Sequence, residues 1–253
     1  MAIKRKPFQG VLNIILFNWH FYLLILIVCL GFTFSRNQFS PLVQKSLFMV
    51  TIFGITITMT SLIVSFYIYD LSDLYQLRWI DSVARTSKQI LNIHAGFDET
   101  SEILRQKFPN AILTVCDFYD PAKHTEISIK RARLVYSLYP GTISVNTSRL
   151  PFPDNVFDTI LIILSAHEIR NMNECIQFFK ELNRILKSNG NILVTEHLRD
   201  RNNFLAYTIG SFHFYSQKSW LKKFKEAHLS VVKKLKATPF ITTFILQKNG
   251  DTL

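Results

Sequence analysis

The sequence predicts an α/β domain, a mostly parallel sheet with helices on both faces, preceded by a transmembrane helical hairpin. Three observations point to it. Two long apolar runs without Asp, Glu, Lys or Arg fill the first 70 residues. From residue 89 onward, short apolar runs alternate with amphipathic stretches. Polar residues gather where those runs end, and that is where parallel sheets hold ligands.

Residues 11–34 are almost wholly apolar, and a second uncharged run covers 46–69. Each core of about 24 residues spans roughly 36 Å as helix, against a hydrocarbon layer of about 30 Å. A signal peptide is shorter in its apolar part and is not followed by a second span. The intervening SRNQFSPLVQK has Pro41 and two charges, Arg36 and Lys45, as a turn between antiparallel spans should. Lys4, Arg5 and Lys6 before the first span, with Arg78, Arg85 and Lys88 after the second, place both termini in the cytosol. Asn13, Asn18, Trp19 and His20 interrupt the first span; they serve either helix–helix adhesion or a ligand site. Residues 70–85 form a helix, with Leu71, Leu74 and Leu77 on one side and Trp79 near the interface. The expected division is a hairpin over 1–70, a connecting helix over 71–88 and an α/β domain over 89–253.

The net charge of +11 includes a late cluster (Lys218, Lys222, Lys223, Lys225, Lys233, Lys234, Lys236). Such a balance favours anionic partners or simply solvated helix faces. With membrane segments present, a bilayer with anionic headgroups is the economical partner, and nucleic acid is not. Three cysteines without a CxxC pair indicate neither a disulfide framework nor a thiolate metal site.

In the α/β region, strands are expected over 89–94, 112–116, 142–146, 157–164, 191–196 and 240–247. Helices are expected over 100–108, 128–136, 172–186 and 218–227. The first strand leads into His94, Ala95, Gly96, Phe97, Asp98 and Glu99. About twenty residues past Gly96, the second strand ends in Asp117. An acid there accepts two hydrogen bonds from a ribose diol in dinucleotide folds, or it caps a helix. Ser165, Ala166, His167, Glu168 and Arg170 follow one strand, and Glu196, His197 and Arg199 follow another. His167 is the first choice for acceptor contact or general base, because imidazole titrates near neutrality. Glu168, Glu196, His197 and Arg199 come second, and His213 enters from a lid; each is otherwise a cap or a surface ion pair. The histidines show no HxxxH spacing, so no metal site is expected, and neither a GxSxG elbow nor a P-loop occurs.

Two segments, LPFPDNVFD (150–158) and ELNRILKSNGNILVTE (181–196), resemble the LPFPDxSFD and ExxRVLKPGGxLxxxE segments of class I methyltransferases acting on small molecules, quinones and sterols. FHFYSQKSWLKKFKEAHL resembles that family's lead into its last hairpin, and the likeness covers roughly 88–248. It implies a seven-stranded Rossmann-like sheet with S-adenosylmethionine as cofactor. By position, Asn92, His94, Ala95, Gly96 and Phe97 would face the methionine moiety, Asp117 the ribose and Phe118 the adenine. Asn146 and Thr147 would lie near the adenine amine, and Ser165 beside the transferable methyl. The sequence departs from the family's D/E-x-G-x-G-x-G loop: Asn92, His94, Gly96 and Asp98 match it, keeping one glycine of three. Asp98 or Glu99 is a candidate to hold the cofactor ammonium. The function this implies is methyl transfer to a small, lipophilic acceptor such as a lipid or quinone at the membrane. The alternatives are a silent methyltransferase-like scaffold or sensor and, less well supported, a nucleic-acid methyltransferase.

Overall fold

The computed structural model describes residues 5–250, so Lys4 of the basic N-terminus lies outside the described residues. The first apolar segment is not one helix. It divides into α1 (Gln9–Phe17) and α2 (Trp19–Ser35), which meet at an angle of 72°. Asn18 forms the corner, its amide donating to the Ile14 carbonyl, while Arg131 donates to the Phe17 carbonyl at 2.6 Å. Carbonyls at a helix end need such partners, and here a distant arginine supplies one. The second segment, α3 (Pro41–Phe66), starts with Pro at its first turn and runs unbroken. Among the described residues, α3 with its continuation to Gln76 is the one helical stretch long and apolar enough to cross a membrane; α1 and α2 count as a second only if taken together. Leu24, Ile27, Phe48 and Phe53 all point outward, so neither α2 nor α3 has a core to bury its apolar surface in.

The expected connecting helix is instead a series of short turns. Residues Tyr67–Leu71 close one π turn; Leu74–Gln76 and Arg78–Ile80 are 3-10 turns, and α4 (Asp81–Ala84) is brief. Leu77, at φ 51°, breaks the helical path. Leu74, Leu77, Ile80 and Ala84 all turn inward along this irregular course. Trp79 packs on the domain and donates to the Leu74 carbonyl.

The remainder is a seven-stranded sheet. Its elements are β1 (Gln89–His94), α5 (Ser101–Lys107), β2 (Ile112–Asp117), α6 (Ile127–Val135), β3 (Ile143–Ser144), β4 (Phe157–Ile163), α7 (Met172–Ile185), β5 (Leu186–His197), α8 (Arg201–Tyr207), α9 (Gln217–Glu226), β6 (Leu229–Thr238) and β7 (Ile241–Lys248). The strand order is β3-β2-β1-β4-β5-β7-β6; the first five are parallel and β7 is antiparallel to both neighbours. One face buries Phe178, Phe179 and Leu182 of α7 with Trp220 and Phe224 of α9. The other packs Leu161, Leu193 and Ile245 against Leu77, Ile80 and Leu104. The sheet order reverses between β1 and β4, which puts a ligand crevice above their carboxyl ends.

β6 and α8 are absent from the sequence-based expectation. β6 carries Lys233, Lys234 and Lys236, which look like a solvated face; they line an edge strand, where lysine discourages pairing with other chains. Lys223, counted above with the surface lysines, is buried, its Nζ 3.1 Å from the centre of the Tyr215 ring.

The segments carrying the resemblance form a clamp. Arg184 donates to the carbonyls of Leu150 and Phe152, to Asp154 and to Glu181, while Glu181 accepts from the Leu150 amide. Asp158 accepts from the amides of Lys88 and Gln89 and from Lys187, fixing where β1 starts. These motif residues position strands; the chemistry lies elsewhere.

Candidate active site

Above the carboxyl ends of β1 and β4 lies a cavity of about 220 Å³. Asn92, His94 and Phe97 line it from β1 and its loop, His167 and Glu168 from the turn after β4, and His197 from the end of β5. His213 and Phe214 close one side; Gly10, Asn13, Ile14 and Phe17 of α1 form the roof. A second recess of about 360 Å³ lies beyond β2, between Phe118, Tyr119, Asn146 and Thr147. A larger open recess of about 640 Å³ near Arg5, Asp70 and Gln106 holds none of the candidate residues.

The loop after β1 turns at Gly96, whose φ of +88° suits glycine alone. A Cβ there would lie 2.5 Å from the Arg133 guanidinium. His94 folds back to accept the Gly96 amide through Nδ1; its Nε2 is buried without a partner. Burial lowers its pKa, against the pull of Asp98 and Asp117, so the ring is neutral. Asp98 turns away from the cavity and caps α5, accepting from the amides of Thr100 and Ser101. Asn92 donates to Thr100 and Ser101 and so braces the same cap. Of the two residues weighed for the cofactor ammonium, Glu99 lines the cavity but is bound to Arg5, Gln9, Asn13 and Tyr75, while Asp98 keeps one buried oxygen, Oδ2, without a partner, 3.9 Å from His94 Nε2.

Asp117 lies between the two recesses. One oxygen accepts from the Tyr119 amide and the other pairs with Arg133 at 2.5 Å. Arg133 also stacks over the Tyr119 ring at 4.5 Å. The donor set fits an adenosyl group: a carboxylate at a strand end, an orphan imidazole nitrogen, a glycine turn, and aromatic and amide groups beyond. The fit requires Arg133 to vacate the space beside Gly96, and its long, partly exposed side chain can turn toward solvent. Phe118, buried against Phe178, presents an edge to the outer recess, where Thr147 donates to Glu174 and Asn146 accepts from Ser148. Ala95 and Ser165 are buried beneath the cavity without lining it, Ser165 donating to the Ile93 carbonyl.

On the acceptor side, Leu164 adopts φ 52°, an uncommon backbone state for leucine, and thereby swings the 166–168 turn over the cavity. His167 donates through Nδ1 to the buried Glu196 at 2.7 Å, and its Nε2 faces Glu168 at 3.3 Å. Burial opposes charge on this ring, but Glu196 and Glu168 outweigh it and push its pKa up to about 10. His197 has both nitrogens engaged. Asn203 donates its amide to Asp200 and the Phe240 carbonyl, so its oxygen accepts from His197 Nδ1, and His197 Nε2 accepts from Tyr69. Burial pushes the His197 pKa down to about 4, so the ring is neutral and fixed. Arg199 is exposed and stands apart from the cavity.

The α1 roof, Arg133, Tyr119 and Tyr69 are the site residues that sequence reasoning missed. The signal for α1 was there in Asn13, Asn18 and His20, the polar interruptions of the first apolar run. Asn13 accepts from Tyr136, and His20 accepts from Arg131.

Residues 91–194 match the family described as a methyltransferase domain. Over 138 residues the chain is 30% identical to the ubiquinone/menaquinone biosynthesis C-methyltransferase UbiE of Teredinibacter turnerae, covering 52% of this chain and 53% of that one. Over 130 residues it is 29% identical to the Geobacter sulfurreducens protein of the same name, covering 50% and 48%. The chain thus spans about half the length of the curated relatives it matches. In fold, the chain is similar to an S-adenosylmethionine-dependent methyltransferase from Clostridium acetobutylicum (TM-score 0.51, 12% identity, 70% of this chain and 92% of that one). It is similar also to human N-acetylserotonin methyltransferase in complex with its cofactor (TM-score 0.50, 12% identity, 76% and 56%).

Proposed function

We propose that the chain is a membrane-held methyltransferase transferring a methyl group from S-adenosylmethionine to a small lipophilic acceptor of the quinol kind. One observation carries the proposal: a single cavity is lined by the cofactor-loop residues Asn92, His94 and Phe97, by the polar His167 and Glu168, and by the apolar Ile14 and Phe17 of α1. The last two lead directly into the exposed apolar helix α2, so the acceptor pocket continues toward the lipid-facing part of the molecule. α2 and α3 enter the bilayer side by side; α2 alone spans about 26 Å, near the lower limit for crossing. The basic residues flanking the pair set the methyltransferase domain on the cytosolic side. Phe204, Leu205, Ile209 and Phe212 are exposed beside the end of α3, where Tyr207 meets Ser65, and extend the apolar surface to the rim of the pocket. The names of the relatives, which act in ubiquinone and menaquinone biosynthesis, favour a quinone-related acceptor.

The bound cofactor supplies an electrophilic methyl group on a sulfonium. The chain's own residues would do the rest: Asp117 would accept hydrogen bonds from the sugar hydroxyls, Phe118 and Tyr119 would hold the base, and the neutral His94 would line the methionine end. His167 and Glu168 orient the acceptor oxygen, with His197 as a positioning residue that ties β5 to Tyr69. Alignment supplies much of the acceleration in an in-line displacement.

The test is methyl transfer by the full chain in nanodiscs, comparing a long-chain demethylated quinol with its water-soluble short-chain analogue. We expect the long-chain acceptor to be preferred by about tenfold or more in kcat/KM, and Asp117→Ala to lower transfer roughly 10- to 100-fold, as loss of hydrogen bonds to a charged group should. Equal rates for the two acceptors would remove the membrane from the proposal. The Arg133–Asp117 pair favours one alternative, a silent sensor domain, which failure of the folded chain to bind cofactor would select.

A further inference from the structure

His167 and His213 stand 46 residues apart in sequence, yet one ligand atom from each of His167, Glu168 and His213 lies within 4.8 Å of the other two. Several features of this cluster have no use in an ordinary polar network. Glu168 is 4% exposed, and its Oε2 is buried with no hydrogen-bond partner. Its other oxygen, Oε1, faces His167 Nε2 at 3.3 Å, so Oε2 is the acceptor left open for a bound cation, which would replace the Nε2 proton. His167 offers Nε2 to the cluster while its Nδ1 donates to Glu196, itself fully buried. A carboxylate behind a histidine in this way fixes the ring and raises the basicity of the other nitrogen, as behind histidines that bind metals. His213 closes the set from the opposite side, its ring 5.4 Å from that of His167.

We propose that His167, Glu168 and His213 bind a divalent first-row metal ion of the zinc kind, with Glu196 as the outer partner of His167. Two histidines and one carboxylate leave an open position, as in catalytic zinc sites. That position faces the acceptor cavity, so an acceptor hydroxyl can bind there, release its proton to solvent and be held as the anion. The ion is thus a Lewis acid for the acceptor and has no contact with the cofactor loop. Arg170 is the competing cation: it donates to His213 at 2.6 Å, and Glu126, 3.6 Å away, is where its guanidinium goes when the ion enters. This inference rests on the methyltransferase proposal, whose His167 and Glu168 it gives a specific role, and adds His213 to them.

The test is a titration of the untagged full chain in nanodiscs with Co²⁺, whose visible absorption intensifies in a low-coordinate nitrogen and oxygen site. One equivalent should bind. The isosteric Glu168→Gln and His213→Ala should each weaken binding at least 100-fold, and Glu196→Gln 10- to 100-fold. Arg170→Ala should tighten it. S-adenosylmethionine affinity, measured alongside, should stay within twofold in Glu168→Gln, which also shows that this variant folds. No intensified absorption at millimolar Co²⁺, or binding unchanged within twofold in Glu168→Gln, overturns the metal site. If either occurs while the wild-type chain binds S-adenosylmethionine, the metal site alone falls. Loss of cofactor binding in the wild type counts against the methyltransferase proposal instead.

Discussion

The two apolar segments, 9–35 and 41–66, are nearly matched in composition and differ in what they do. The second is one helix whose side chains point outward along most of its length. The first breaks at Asn18, and its front half leaves the apolar bundle to roof the cavity above β1 and β4. A few polar residues make the difference. Asn13, Asn18 and His20 find partners on α6 or on the helix itself, and the Asp70 carboxylate accepts from the amides of Gly10 and Val11 at the start of α1. Gly10 allows the close approach: a Cβ there would fall 2.3 Å from that of Tyr69. Hydropathy thus sets how much chain avoids water, and its polar interruptions decide which part of that chain docks on protein.

If this contrast is right, substitutions in the first segment's contacts should cost far more than substitutions in the second. The largest effect should come from Glu99→Ala, which strips Arg5, Tyr75, Gln9 and Asn13 of their shared acceptor. Breaking this largely buried pair should cost about 3 kcal/mol in denaturant unfolding and detach the roof, with loss of methyl transfer. Arg131→Ala, which frees the corner carbonyl and His20, should cost about 1–2 kcal/mol and raise proteolysis between α1 and α2. Phe53→Ala, on the outward face of α3, should stay within about 0.5 kcal/mol in detergent. Equal costs at Glu99 and Phe53 would erase the contrast.

Much of the fold was legible because parallel strands give unmistakable apolar runs such as FDTILIIL, buried over most of its length, and ILTVC, buried at its carboxyl end. β6 escaped notice because an edge strand with lysines on it looks like any charged surface. The broken connector escaped because leucines at three-residue spacing fit a helix, and only the backbone reveals that Leu77 leaves it. In the site, Asp117, His167 and Glu168 were legible from their places after strands. Arg133 was not: it lies within a helix, and what brings it to Asp117 and Gly96 is the packing of α6 over the sheet. His213 joined His167 only through the fold, so no spacing rule could find the pair.

On the proposed function, the crevice at Asp117 receives an adenosyl group once Arg133 moves aside. Calorimetric titration of S-adenosylmethionine into the full chain in nanodiscs tests it most directly. We expect a single site, weakened roughly 10- to 100-fold by Asp117→Ala and tightened about tenfold by Arg133→Ala, because the latter substitution removes the cation paired with Asp117. A folded chain giving no heat of binding, with Arg133→Ala equally silent, would contradict it.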